Sequence, residues 1–170
     1  LLGNGIPIAM SKYVSEYWKT KPEMVSIIKR QGLILQMIVI GLITASFYAV
    51  TPFISSLLND QTLTPLFRIS VFILPAYALD TYYFYYFTGI HRFNFQSILK
   101  IVRSLLRVTL IIGFIYLWRI EGAIAGYIFV PLLVFLVALF YDLFKTSKEY
   151  PQPKDENIDF DWRKLMSYAW

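Results

Sequence analysis

Four long apolar runs divide the chain, at about residues 32–57, 63–87, 98–118 and 123–144, and short polar stretches separate them. Within each run apolar residues face every direction instead of recurring as one stripe, the pattern of a helix surrounded by lipid. Each run reaches about 20 residues, enough to cross roughly 30 Å of hydrocarbon. The pattern predicts four transmembrane helices and an all-α, polytopic membrane bundle. Residues 1–10 are short, apolar and rich in Gly and Pro, and read as the end of an earlier span. Residues 161–170 are amphipathic and read as the start of a further helix. Between these lie an amphipathic loop at 11–31 and a charged linker at 145–160 that carries Pro151 and Pro153. In the loop, Tyr13, Tyr17 and Trp18 sit among charges, as rings do in the headgroup layer. Pro22 and Glu23 suit the first turn of a helix.

Composition strengthens the membrane reading. Of the 170 residues 57% are hydrophobic and 16% charged, where a soluble domain carries about a quarter charged residues. Cysteine is absent, which excludes a disulfide framework and thiolate chemistry. The formal charge of +5 would suit nucleic acid, but its distribution fits a membrane better, and no nucleic-acid partner is expected. If the spans alternate, fourteen of the sixteen Lys and Arg residues fall on one side, and only Arg68 and Arg119 on the other. The positive-inside rule places the first set in the cytoplasm. Loops 11–31, 88–97 and 145–162 are then cytoplasmic, and the turns at 58–64 and 119–122 are outside. This is the pattern of a multi-pass protein of the cytoplasmic (plasma) membrane.

No nucleophile–base pair, phosphate-cradling loop or metal-ligand spacing is present, so the sequence predicts no enzyme, no catalytic residue, no metal site and no cofactor. His91, the one histidine, lies in a loop. What remains is polarity at membrane depth, which is costly and therefore informative. Asp80 lies about nine residues from the inner loop, some 13 Å below it. Tyr77, Thr81 and Phe84 extend a partly polar stripe on its face. It reads either as a coupling-ion site or as a carboxylate neutralised by a neighbouring helix. Lys100, Arg103 and Arg107 recur at intervals of three and four and share one face of the third run. The second and third runs are antiparallel neighbours, so Asp80 is expected to pair with Arg103 or Arg107. On one reading Arg107 faces a water-filled cavity and binds an anionic headgroup such as diphosphate; on the other, Lys100 and Arg103 extend toward anionic cytoplasmic lipid. Gln36, Thr44, Tyr48 and Thr51 lie roughly on one side of the first run, and either line the same cavity or hydrogen-bond between helices. Gly122 and Gly126 form a small-xxx-small pair, Pro75 and Pro131 are candidate kinks, and the run Tyr82–Phe87 reads as an aromatic belt.

The order of features resembles a known family. The opening Gly5-Ile6-Pro7-Ile8-Ala9-Met10-Ser11-Lys12-Tyr13 looks like the end of the second helix in polysaccharide-export flippases. These belong to a superfamily with the lipid II flippases and the multidrug and toxin extruders. The likeness continues through a span opening at Arg68, an inner loop with Gly89, Arg92 and Phe93, and a basic-headed span with Lys100, Arg103 and Arg107. It ends with the turn Glu121–Gly126 and the helix start Asp161-Trp162-Arg163-Lys164-Leu165. The resemblance implies helices two to six and the start of seven, part of one six-helix lobe of a two-lobe transporter. On it, the chain begins and ends inside a longer protein that supplies helix one and a second lobe. The implied activity is flipping of a polyprenyl-diphosphate-linked oligosaccharide by alternating access, coupled to an unidentified ion, H+ or Na+. A cation-coupled multidrug exporter and a membrane-embedded oligosaccharide polymerase or ligase are the alternatives. The tiny outer turns speak against the last. Expected partners are the lipid-linked oligosaccharide and membrane lipids. The expected substrate-binding residues are Asp80, Arg103, Arg107, Gln36, Thr44 and Tyr48.

Overall fold

The computed structural model describes residues 5–150 and 160–169. They form an all-α membrane bundle, and every regular element among them is helical. The first helices are α1 (Gly5–Tyr17) and α2 (Pro22–Leu57). Residues 11–31, expected as a loop, are therefore helical except for the turn at 18–21. Hydropathy reports depth rather than backbone state. α2 has 36 residues, about 54 Å of helix, and its basic first turns exceed what the hydrocarbon can hold. Pro22 opens α2 where no N–H is required, and Glu23 meets the positive end of the helix dipole.

Proline sets the breaks in the middle of the chain. Pro52 lies inside α2 and has no N–H for the carbonyl of Tyr48. The Thr51 hydroxyl takes that role, donating to Tyr48 O at 2.8 Å. The second apolar run is divided into α3 (Leu63–Ser70) and α4 (Ile73–Gly89). The division falls one turn before Pro75, whose missing N–H leaves the Val71 carbonyl without its usual partner. Leu74 N bonds that carbonyl instead, at 3.1 Å, in a tighter turn.

The third and fourth runs form one helical tract, α5 (Phe93–Tyr141), broken at Trp118 and Arg119. Arg119 has φ 52° and ψ −123°, a backbone conformation that reverses the chain within a residue or two. The turn is thus narrower than the expected 119–122. The two arms fold back on each other, with Phe114 against Phe129 at 5.8 Å between ring centroids. Gly122 and Gly126 make the approach possible. A Cβ on Gly122 would lie 1.9 Å from the Phe114 carbonyl oxygen, and one on Gly126 would lie 2.9 Å from Ile111 Cγ1. Beyond α5 the chain passes through a π-turn at Asp142–Thr146 into α6 (Ser147–Glu149). The start of the expected linker is therefore helical, and its remainder at 151–159 lies outside the described residues. α7 (Trp162–Ala169) packs on α1, with Leu165 buried and Phe160 against Tyr13 at 5.3 Å.

The core gathers at the end of the bundle that the charge bias assigns to the cytoplasm. Met10, Val14, Val25, Ile28, Tyr82, Tyr86 and Phe87 are buried there. Tyr82, Tyr83, Tyr86 and Phe87 are thus core residues, not the interfacial belt that their order suggested. Elsewhere large apolar side chains such as Leu42, Phe53, Leu105 and Ile112 stand exposed, as lipid-facing positions do. Three helical tracts, 22–57, 63–89 and 93–149, are long and apolar enough to cross a membrane, and the last is the hairpin.

Candidate functional site

α4 and the first arm of α5 are antiparallel, joined by the short connection at residues 90–92. Polar side chains at helical spacing on each therefore meet rung by rung. Nearest the connection, the Gln96 side-chain amide donates to the Thr88 hydroxyl. One turn on, Lys100 Nζ lies 4.9 Å from the Phe84 ring centroid. Arg103 Nη2 then donates to Asp80 Oδ1 at 2.6 Å and lies 2.6 Å from Oδ2. Arg107 Nη2 donates to the Tyr77 hydroxyl at 2.9 Å. From Gln96 to Arg107 the seam rises about 16 Å, half the hydrocarbon thickness.

The electrostatics of this seam are unbalanced. The Asp80 side chain is 2% exposed and offsets the charge of Arg103. Arg107 belongs to none of the three ion pairs among the described residues: it donates to a neutral phenol and feels Asp80 only as a more distant charge. The Nε atoms of both Arg103 and Arg107 are buried without a hydrogen-bond partner. An unmet buried donor carries its full desolvation cost, and a guanidinium presents several donors in one plane. A tetrahedral anion with several oxygens is the ligand whose chemistry answers such a site.

The structure joins Asp80, Arg103 and Arg107, together with Tyr77 and Phe84 of the expected stripe. The expected residues of α2 make other contacts. The Thr44 hydroxyl donates to its own helix at Ile40 O, 2.6 Å away. The Tyr48 ring faces the guanidinium of Arg68 at 5.3 Å. Gln36 is buried in the bundle. Lys100 is exposed at the inner end of the seam.

A second buried ion pair escaped the sequence reading. Lys29 Nζ of α2 lies 2.8 Å from Oδ2 of Asp142, whose side chain is 2% exposed. Tyr82 donates its hydroxyl to the Lys29 carbonyl, and the Tyr86 ring lies 5.2 Å from Nζ. Asp142 opens the π-turn, so the clasp joins α2 to the end of the α5 hairpin across the tyrosine face of α4. The available signal was that Asp142 is the one acidic residue in the run 123–144. Near a span end a charge is ordinary, so the signal is weak. Outside the membrane, Arg92 bonds Glu149, and that carboxylate raises the guanidinium pKa above its ordinary value. His91 stays at the surface, 4.8 Å from the Trp18 ring centroid.

The family model described as "Polysaccharide biosynthesis protein" matches residues 1–170, and the chain belongs to that family. No curated protein and no solved structure gives a match.

Proposed function

We propose that this member of the polysaccharide biosynthesis family is part of a flippase. Its cargo on this reading is a polyprenyl-diphosphate-linked oligosaccharide, carried from the cytoplasmic to the outer face of the cell membrane by alternating access. The observation that carries the reading is Arg107, a cation within the membrane span that forms no ion pair with a carboxylate among the described residues. A permanent charge in lipid is retained where it does work. The seam from Gln96 to Arg107 offers that charge by a graded polar route from the inner surface. A diphosphate supplies the oxygens that the arginines lack, while its polyprenyl chain stays in the surrounding lipid.

The activity in this proposal is transport without bond chemistry. Helix one and the second lobe of the protein would close the cavity, and H+ or Na+ would drive the cycle. A cation-exporting relative would need a free carboxylate at depth. Asp80 is already engaged by Arg103, which favours the anionic cargo. The test is Arg107→Ala in cells that depend on this protein for surface glycan. At normal expression the variant is expected to lose surface glycan and accumulate its lipid-linked precursor. Unchanged glycan would overturn the proposal. Arg107→Lys keeps the charge without the planar fork and is expected to fall between the two.

A further inference from the structure

We infer that Asp80 is a built-in stand-in for the cargo's phosphate, holding Arg103 between transport events and yielding it when the diphosphate arrives. The inference rests on the reading of the seam as an anion site and adds a competitor inside it. Three features of the pair carry it. First, the contact is single-ended: the hydrogen bond runs from Nη2 of Arg103 to Asp80 Oδ1, while Oδ2, 2.6 Å from the same nitrogen, is buried without a hydrogen-bond partner. Second, Nε of Arg103 and Nε of Arg107 remain buried and unmet, so the carboxylate occupies the site without satisfying it. Third, the two arginines are one turn apart on the same face, at 103 and 107, with Asp80 and Tyr77 opposite them. A group with more oxygens than a carboxylate can reach both guanidinium groups together.

The exchange has a physical purpose. An arginine left bare in lipid is costly, and one that holds its cargo irrevocably cannot release it. Asp80 limits both problems. It compensates Arg103 when the site is empty, and on the outward-facing side it competes for the same guanidinium and helps the diphosphate leave. Each step trades one oxygen anion for another at the same nitrogen, so Arg103 is never uncompensated. Arg107, which forms no ion pair among the described residues, and the freed Arg103 then hold the diphosphate together.

The test measures binding of radiolabelled farnesyl diphosphate to the full-length protein in phosphatidylcholine nanodiscs, with farnesol and inorganic diphosphate as competitors. Arg107→Ala is expected to weaken binding, and Asp80→Asn to tighten it by about ten-fold, as for a site freed of an internal competitor. Asp80→Asn is also expected to lower transport, because release loses its helper. A purely structural Asp80 would give no tightening. Wild-type protein supplies an arm independent of folding. Modification of Asp80 by dicyclohexylcarbodiimide, read by mass spectrometry, is expected to rise several-fold when farnesyl diphosphate binds. Labelling that stays constant or falls would overturn the exchange. If Arg107→Ala leaves binding unchanged, the anion site itself fails. If Arg107→Ala weakens binding but Asp80→Asn binds as wild type does, only the exchange fails. Inorganic diphosphate that competes as well as the lipid binds would overturn the lipid assignment.

Discussion

Two ion pairs outside the seam carry very different weights. Asp142 is almost wholly enclosed, and removing Lys29 would leave its charge without compensation in an apolar surround. Lys29→Met is expected to lower stability by about 3 kcal/mol or more, the usual cost of breaking a buried pair. The double change Lys29→Met with Asp142→Leu removes both charges and is expected to recover most of that loss. Thermal midpoints of the detergent-solubilised variants measure this, and strictly additive losses would contradict it. Arg92 and Glu149 are each about one-third exposed, at 35% and 38%. Water already solvates them, so Glu149→Gln is expected to cost less than about 1 kcal/mol in the same assay. The sequence made Asp80 legible and Asp142 not, and the reason is contrast. Asp80 stands deep in an apolar run, where a carboxylate needs a partner, and two arginines sat at the matching distance on the next helix. Asp142 stands where the run gives way to the charged segment after it. Its partner Lys29 is 113 positions away, and no local spacing connects them.

Helix limits depend on backbone chemistry that hydropathy does not see. The apolar runs located the membrane, but α1 continues through charged residues to Tyr17 and α2 starts again at Pro22. The kink before Pro75 was legible because a missing N–H acts at a fixed distance along the helix. The hairpin turn was legible in place but not in form, since a left-handed backbone at Arg119 has no signature in that residue type. Two expectations follow for the hairpin. Arg119→Gly relieves a conformation that costs a non-glycine residue roughly 1–3 kcal/mol, so it is expected to raise the thermal midpoint. Gly122→Ala places a methyl group on the facing carbonyl and is expected to prevent the arms from closing. Gly41 and Gly113 have open space where a Cβ would go, so Gly41→Ala and Gly113→Ala are the controls and are expected to fold normally. Detergent-resistant monodisperse protein at Gly122→Ala, equal to that of the controls, would refute the close crossing.

At the scale of the whole molecule, direction decides what the seam can do, because a seam that opens inward is an entrance and one that opens outward is an exit. The seam opens beside the 90–92 connection, and the distribution of Lys and Arg assigns that connection to the cytoplasm. The structure adds a constraint that charge counting alone lacked. The α5 hairpin returns the chain to its starting side, which places Asp142, α6 and Lys29 at the same end as Arg92. A single inversion would therefore reverse all of them together. Because the chain contains no cysteine, single cysteines can report each end without background. Lys19→Cys, Asn94→Cys and Lys148→Cys are expected to react with a membrane-impermeant maleimide only after the cells are permeabilised. Asn59→Cys and Glu121→Cys are expected to react in intact cells. Labelling of Asn59→Cys and Asn94→Cys from the same side would break the span between them. Labelling of all five in reversed order would turn the polar entrance outward and remove the basis for inward loading of the cargo. The expected order makes Lys100 the first charge of the seam that a headgroup in the inner leaflet meets and Arg107 the deepest. On the proposed function, the diphosphate would then move from a cation that water can still screen to one that it cannot, and that gradient of screening would draw the headgroup inward and set the direction of loading.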